Sequence, residues 1–339
     1  MNRSKIEWCD HTWNPITGCY HNCSYCYAKR MTKRFAGNVR LNKMATDDYE
    51  LQGGYKNPEQ ELYVLNEPML NETGMPLTYP FEFAPTLHKY RLDNLDKLKM
   101  GNNVFVGAMA DVFGDWVPDE WIDLIFEKCL KKPEHNYLFL TKNVERYSEY
   151  GVPIHQENMW YGVTITRESE MGRFNSLPAF ANIYVSFEPL LEDVHPEMHN
   201  ILFKQVKWII IGAETGRQSG KVVPKFDWIK KIVLLADEYG IPVFMKESVR
   251  NQVVIDQNMR KDYPEELKNK GISKKLHTKL YGKCGTCKKE FKKNEMVTML
   301  ARRYRGMQPV QIGFMCEECF VTHCKKNGYI LPEFKKAED

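Results

Sequence analysis

Short apolar runs alternate with stretches of helical periodicity along most of this 339-residue chain, and this alternation limits the fold more than any other feature. Buried strands that alternate with helices form parallel sheets with right-handed crossovers. The sequence therefore predicts an α/β fold, a partial or full (β/α) barrel. Its strands are predicted at residues 12–17, 81–84, 104–109, 137–140, 159–163, 183–187, 208–211 and 241–245. Helices are predicted at residues 27–35, 118–130 and 226–236, and residues 38–80 are predicted to be a long irregular segment.

Polar side chains follow most of these predicted strands. Barrel enzymes carry their chemistry at the carboxyl ends of the strands, where the side chains of different strands converge. A single charged residue at a strand end is usually a helix cap or a solvated loop residue, but several converging ends are typical of a site. The candidates are Asp111, Lys142, Glu188, Glu214 and Lys246, with Thr164 and Ser186 beside them.

Three cysteines near the start of the chain, Cys19, Cys23 and Cys26, have the spacing C-x3-C-x2-C. Such a loop directs three thiolates toward one point and supplies no fourth. A 4Fe–4S cluster bound in this way retains one iron without a protein ligand, whereas electron carriers normally fill all four positions. Two alternatives remain open: Cys9 could complete a four-thiolate zinc site, or the cysteines could be buried thiols that pack as small apolar residues.

Four further cysteines form two C-x2-C knuckles, Cys284 with Cys287 and Cys316 with Cys319. Two such knuckles complete a tetrahedral zinc shell, so the sequence predicts a zinc ribbon or a treble clef. Between them, residues 301–306 include Arg302, Arg303, Tyr304 and Arg305. This basic segment could contact a phosphate backbone and stack a base; a solvated hairpin or a surface that docks on the barrel is the alternative.

Charge and cysteine content divide the chain and indicate its compartment. Residues 1–259 have 29 Lys and Arg against 34 Asp and Glu, whereas residues 260–339 have 19 against 10. The basic C-terminal part is therefore where a nucleic-acid partner is predicted. Seven of the ten cysteines fall in the two metal-like clusters, which favours a reducing cytoplasm over a disulfide-forming compartment. The sequence has no apolar run long enough for a membrane span.

We predict a barrel over residues 1–255, a basic linker over 256–280, a zinc-binding module over 281–330 and a tail over 331–339.

The cysteine loop resembles the signature of the radical S-adenosylmethionine (SAM) superfamily, and Tyr25 stands where that signature has an aromatic residue that flanks the adenine. Over about residues 4–250 the chain is also similar to a phage-associated radical SAM-like family of unknown function. The residues that support this are Ser4-Lys5-Ile6-Glu7-Trp8, Thr12-Trp13-Asn14-Pro15, Leu140-Thr141-Lys142, Ser186-Phe187-Glu188-Pro189-Leu190-Leu191 and Ile211-Gly212-Ala213-Glu214-Thr215-Gly216. The resemblance implies a barrel of the radical SAM type and a cluster on Cys19, Cys23 and Cys26 that binds SAM. Residues 107–111, which end at Asp111, or the end of the 81–84 strand would stand in for the Gly-Gly-Glu run of that superfamily.

These features predict a radical SAM enzyme that uses a 4Fe–4S cluster and an external electron donor to cleave SAM to a 5′-deoxyadenosyl radical. Its substrate is unidentified, and a nucleotide or nucleic acid is one candidate. Lys142, Glu188, Glu214 and Lys246 are predicted to be catalytic, and Tyr25 and Asp111 to bind the cofactor. The alternative is a non-catalytic nucleic-acid-binding protein with two structural metal sites, and a third hypothesis is a barrel whose cluster is only structural or redox-sensing.

Overall fold

In the computed structural model, the predicted alternation produces a parallel sheet of seven strands that curves into a half-barrel. The structure describes residues 3–98, 101–199, 203–216, 219–250, 259–268, 281–292, 296–301 and 310–327. The sheet has the order β1-β6-β7-β8-β9-β10-β11. Its strands are β1 (His11–Trp13), β6 (Asn103–Val106), β7 (Asn136–Thr141), β8 (Met159–Thr164), β9 (Asn182–Phe187), β10 (Val206–Ile211) and β11 (Val243–Met245). The mixed α/β fold and its partial barrel are thus confirmed.

Helices such as α3 (Asp119–Leu130) and α5 (Phe226–Glu238) cover one face of this sheet, and aromatic side chains fill the other. The other helices of the described residues are α1 (Tyr27–Arg34), α2 (Val39–Met44), α4 (Glu145–Tyr150), α6 (Glu247–Arg250), α7 (Glu265–Lys268) and, in the C-terminal part, α8 (Glu317–Asn327), with 3-10 helices at Thr46–Asp48, Lys89–Lys97, Glu168–Ser176 and Pro196–His199. Alternate strand residues such as Val104 and Ile209 join the helices in the apolar core. On the other face, the Trp8 ring lies 4.7 Å from Phe105 and 6.2 Å from Trp208, centroid to centroid.

The region before the third predicted strand differs from the expectation. Residues 81–84 form a turn and not a strand, because Glu82 adopts a left-handed φ of 53° and the Ala84 amide donates back to the carbonyl of Phe81. Residues 38–80 are not irregular either. They contain the helix α2 and two strands, β3 (Glu50–Gly53) and β4 (Glu61–Leu65). These two strands join β2 (Ile16–Thr17) and β5 (Thr86–His88) in a second sheet of order β2-β5-β4-β3.

Residues 260–262 run antiparallel beside β11, and residues 263–268 cross the amino-terminal end of the large sheet. The carbonyl oxygens of Glu266 and Leu267 accept hydrogen bonds from the side-chain amides of Asn136 and Asn103, at 3.0 and 3.1 Å. Trp208 donates its indole N–H to the Asp262 carbonyl at 2.9 Å. This segment, which lies within the predicted basic linker, therefore packs on the barrel and covers the end opposite to the strand carboxyl ends.

The chain separates into two units, Met1–Ile272 and Ser273–Asp339. The second unit has antiparallel pairs β12 (Tyr281–Lys283) with β13 (Glu290–Lys292) and β14 (Met296–Ala301) with β15 (Val310–Cys316), followed by α8. The basic residues Arg302, Arg303 and Arg305 lie outside the described residues. Among the described residues, the helices are all too short or too polar to cross a lipid bilayer.

Candidate functional site

A cavity of about 610 Å³ opens at the carboxyl ends of the parallel strands. The structure brings together here every site residue that was predicted within the barrel. Its lining includes Cys19, Cys23, Cys26, Tyr25, Asp111, Lys142, Glu188, Glu214 and Lys246. By contrast, Cys9 is fully buried and is not among the lining residues.

The cysteine loop is anchored at its start by backbone contacts. The Gly18 amide donates to the carbonyl of Met109 at 2.9 Å, and the Cys19 amide donates to the carbonyl of Phe83 at 3.1 Å. Gly18 has a φ of +87°, and a Cβ there would lie 2.2 Å from the carbonyl oxygen of Ala84. Only glycine fits both the left-handed conformation and this close approach, so the position of the first cysteine depends on Gly18.

The loop ends at the first turn of α1. The Sγ of Cys26 accepts the backbone N–H of Lys29 at 3.4 Å, so this cysteine caps the helix that follows it. The Sγ of Cys19 accepts the N–H of His21 at 3.4 Å. Burial raises the pKa of the Cys19 thiol well above its usual value, and the charge of Asp111 adds to the effect. A bound cation would offset both effects.

Asp111 lies in the loop after β6, five residues beyond Val106, and holds the cysteine loop. Its buried carboxylate accepts hydrogen bonds from the His21 imidazole at 2.8 Å, the Lys142 amide at 3.0 Å and the Phe113 amide at 3.1 Å. Burial alone would raise the pKa of Asp111, but these hydrogen bonds outweigh it and the pKa is lowered. The edge of the Trp116 ring system packs against His21 at 5.0 Å between centroids. The carboxylate is thus engaged by groups of the chain itself.

Glu188 and Lys246 form an ion pair on the cavity wall. Burial alone would lower the pKa of Lys246, but attraction to Glu188 and the hydrogen bond between them raise it. The pair fits because residue 212 is glycine: a Cβ at Gly212 would lie 2.8 Å from the Cγ of Glu188 and 3.2 Å from the Cδ of Lys246. The ends of β9, β10 and β11 thus cooperate in this one contact.

The remaining predicted residues lie on the same walls. The Lys142 ammonium is 5.3 Å from the centroid of the Tyr25 ring, a cation–π distance. Glu214 is buried. Ser186 also lines the cavity. Its hydroxyl is itself fully buried and has no hydrogen-bond partner among the described residues.

Sequence reasoning gave no site role to residues 5–8, which also line the cavity. Glu7 accepts the amide of Glu247 at 2.9 Å and the ammonium of Lys261 at 2.6 Å, and thereby joins the N-terminal segment to the region around β11. The signal available in the sequence was the apolar and charged run from Lys5 to Trp8 before the first strand. Its position in the cavity depends on contacts 240 residues or more away.

The two cysteine groups differ in how closely their sulfur atoms approach one another. Among the described residues, Cys284, Cys287, Cys316 and Cys319 form the group of ligand atoms that all lie within 4.8 Å of one another. A single tetrahedral zinc would require such a group. Among the described residues, Cys9, Cys19, Cys23 and Cys26 do not form one. A cluster of several irons holds its ligand sulfurs further apart than one ion does.

The C-terminal cysteines could hold a metal ion such as zinc or iron. The Sγ of Cys284 accepts the backbone N–H groups of Thr286 and Cys316, both at 3.4 Å, and the sulfurs of Cys287 and Cys316 are 3.9 Å apart. Burial alone would raise the pKa of Cys284, but the hydrogen bonds lower it to about 6. The neighbouring thiols raise the pKa of Cys319 to about 12, so Cys284 is the thiol of this group that gives up its proton first.

The fold and the site define a half-barrel α/β protein with a cysteine-lined cavity and a separate four-cysteine group. Residues 3–283 match the family described as protein of unknown function, DUF5131, and the chain belongs to this family. No curated protein and no solved structure matches the chain significantly.

Proposed function

We propose that this protein is a radical SAM enzyme. The observation that carries the proposal is the position of Cys19, Cys23 and Cys26: all three line one cavity, on a loop that follows the first strands, at the carboxyl ends of a parallel half-barrel. The spacing C-x3-C-x2-C supplies three thiolates, and the lining adds charged and aromatic groups that can bind a polar cofactor and a substrate.

The residues fit a 4Fe–4S cluster with SAM. Three cysteines provide the ligands, and the compact ligand set that a single zinc needs is absent from this loop among the described residues. The cavity volume is within the range of about 300–1,000 Å³ that small-molecule sites occupy. When bound, the cluster supplies reductive cleavage of SAM, by one electron from an external donor, to methionine and a 5′-deoxyadenosyl radical that takes a hydrogen atom from a substrate.

The chain's own residues bind, orient and shield in this proposal. Tyr25 offers a ring face and Lys142 a cation beside it, which suits a purine and a carboxylate. Glu188 and Lys246 present both charges at one point, and Glu214 adds a carboxylate. The aromatic side chains on the face of the large sheet that carries no helices exclude water, which would quench a radical.

The substrate belongs to the proposal as well. We infer a nucleotide or nucleic acid, because residues 260–339 have nine more basic than acidic residues (19 − 10). In this proposal the C-terminal four-cysteine group holds zinc. A closed four-thiolate shell leaves no open position for water, so this zinc is structural and assists recognition.

The decisive experiment is anaerobic purification followed by iron analysis and assay with SAM and dithionite. We expect a brown protein with about four irons per chain and the formation of 5′-deoxyadenosine, detected by mass spectrometry. Replacing Cys19, Cys23 or Cys26 by Ala should abolish both signals, whereas Cys9→Ala, the matched control, should preserve them. A colourless, zinc-only parent protein, or equal loss with Cys9→Ala, would contradict the proposal.

A further inference from the structure

The helices α1 and α2 have an inverted pattern of burial. In α1 the buried residues are the small Ala28 and Thr32, and in α2 the buried residue is Asn42. Several large apolar side chains point outward: Met31 is 40% exposed, Phe35 51%, Leu41 47% and Met44 67%. Tyr27 instead lines the cavity, where its hydroxyl donates to the Ala108 carbonyl at 2.6 Å. Neither core packing nor solvation explains this arrangement, since a surface helix normally buries its apolar stripe.

The exposed apolar side chains form one surface. Met31 and the C-cap residue Phe35 are four residues apart and therefore lie on the same side of α1, at its C-terminal end. The side-chain amide of Asn42 donates to the carbonyl of Ala36 at 2.8 Å and so holds α2 against the end of α1. We call Met31, Phe35, Leu41 and Met44, with the basic residues between them, the α1–α2 surface.

This surface is strongly basic. Residues 27–46 include Lys29, Arg30, Lys33, Arg34, Arg40 and Lys43 and not a single Asp or Glu. The Arg34 guanidinium lies 5.8 Å from the Phe35 ring centroid, so charge and apolar area are interleaved. Met, aromatic residues and Arg are the types enriched in protein interfaces. Leu41 and Met44 offer nothing to a base or a phosphate, which favours a protein partner over a nucleic acid.

The α1–α2 surface also begins at the cysteine loop. Cys26 caps α1, and the Lys29 ammonium donates to the side chain of Asn22 within the loop at 2.6 Å. A partner seated on α1 therefore lies against the loop that holds the three cysteines. Of the partners that the proposed reaction requires, the electron donor is the one that must approach this loop from outside.

We infer that the α1–α2 surface docks an acidic one-electron donor protein, which is oxidised by one electron as the cluster is reduced by one. This inference rests on the proposed function. Lys43 pairs with Glu61 at 3.3 Å and Lys29 binds Asn22, so acidic groups of the donor face Arg30, Lys33, Arg34 and Arg40. The apolar residues form the dry centre of the interface. The opposite charges steer the donor to the cysteine loop.

The test uses a plant-type ferredoxin, an acidic one-electron donor of low potential, and the full chain loaded with iron. Binding of oxidised ferredoxin is measured by thermophoresis at low and high salt. The double variant Lys33→Glu with Arg34→Glu should weaken binding about tenfold or more and remove most of its salt dependence. Met31→Ser with Phe35→Ser should weaken it by a similar factor at either salt concentration.

Matched controls lie on other faces of the barrel. Lys230→Glu reverses an exposed charge of α5, and Met198→Ser and Phe180→Ser remove apolar side chains that are 77% and 90% exposed. All three should leave ferredoxin binding unchanged. With dithionite, all variants should form 5′-deoxyadenosine at the parental rate, and only the α1–α2 variants should be slower with ferredoxin, its reductase and NADPH.

Several outcomes would overturn the inference. Ferredoxin that fails to bind the parent, or that binds the α1–α2 variants as tightly as the parent, would do so. The inference would also be overturned if the α1–α2 variants lost binding to a single-stranded oligonucleotide, or lost self-association, instead of losing ferredoxin binding. Failure of the proposed function has a different signature, because the parent would then lack iron or form no 5′-deoxyadenosine with dithionite.

Discussion

The imidazole Nε2 of His21 lies 2.8 Å from the carboxylate of Asp111, and this contact joins the cysteine loop to the loop that follows β6. Asp111 lies 90 residues after His21, which stands between Cys19 and Cys23. The same carboxylate accepts hydrogen bonds from two backbone N–H groups, which fix its position. Its contact with His21 therefore restrains the cysteine loop. Asp111 therefore acts on the cysteines through His21.

Replacing Asp111 by Asn should loosen the cysteine loop. The amide cannot satisfy His21 and both backbone donors equally, and a buried donor left without a partner costs about 1–3 kcal/mol. We expect faster hydrogen exchange of residues 19–26 and less iron after reconstitution. The control is Asp93→Asn, which removes an exposed carboxylate from a surface ion pair and should change neither. Unchanged exchange in the Asp111 variant would refute the anchoring role.

Gly162→Ala should destabilise the barrel. A Cβ at residue 162 would lie 2.3 Å from the Cζ of Tyr184, its neighbour across β8 and β9, and this ring is fully buried. Overpacking of this kind costs about 1–3 kcal/mol of the free energy of unfolding, as measured by urea denaturation. Gly172→Ala is the matched control, since a Cβ there meets nothing within 4 Å. Equal stability of the two variants would show that the ring can move aside.

His88 should make the protein less stable in mild acid. Burial, with a further contribution from Arg91, holds the pKa of His88 well below 6.5. Below pH 6.5 the unfolded chain therefore binds a proton that the folded chain does not, and the free energy of unfolding falls by about 1.4 kcal/mol per pH unit. Chemical denaturation between pH 7.5 and about 5 measures this slope.

The comparison that isolates His88 is His88→Gln against the exposed control His155→Gln. The first variant should lose this part of the pH slope, and the second should retain it. A parent and a His88→Gln variant with the same slope would mean that His88 is protonated in the folded protein.

Cys287→Ala should remove the metal of the C-terminal unit and leave that of the barrel. The expected loss is about one zinc per chain, because three thiolates hold zinc more weakly than four. Elemental analysis of zinc and iron in the same sample measures it. Cys129→Ala removes a buried thiol of α3 that belongs to neither group, and both metals should persist. Loss of iron in the Cys287 variant would contradict two independent metal sites.

Local patterns were sufficient for much of the fold. Strand and helix positions in a parallel α/β protein follow from hydrophobic periodicity over about ten residues, and six of the seven runs from residue 81 onward became strands of the large sheet. The spacing of cysteine pairs and the polar residues after each strand are equally local. For this reason Asp111, Lys142, Glu188, Glu214 and Lys246 could be selected before their common cavity was known.

Tertiary contacts decided the rest, because they join residues that no window along the chain contains. The β2–β5 pairing links Ile16 to Leu87, and without it residues 38–80 look irregular. Glu7 reaches the cavity only through Glu247 and Lys261. On periodicity alone, Met31 and Phe35 could equally have belonged to a core stripe. Their exposure follows from packing, since α1 lies on the barrel through Ala28 and Thr32, and which face of a helix is buried depends on its neighbours.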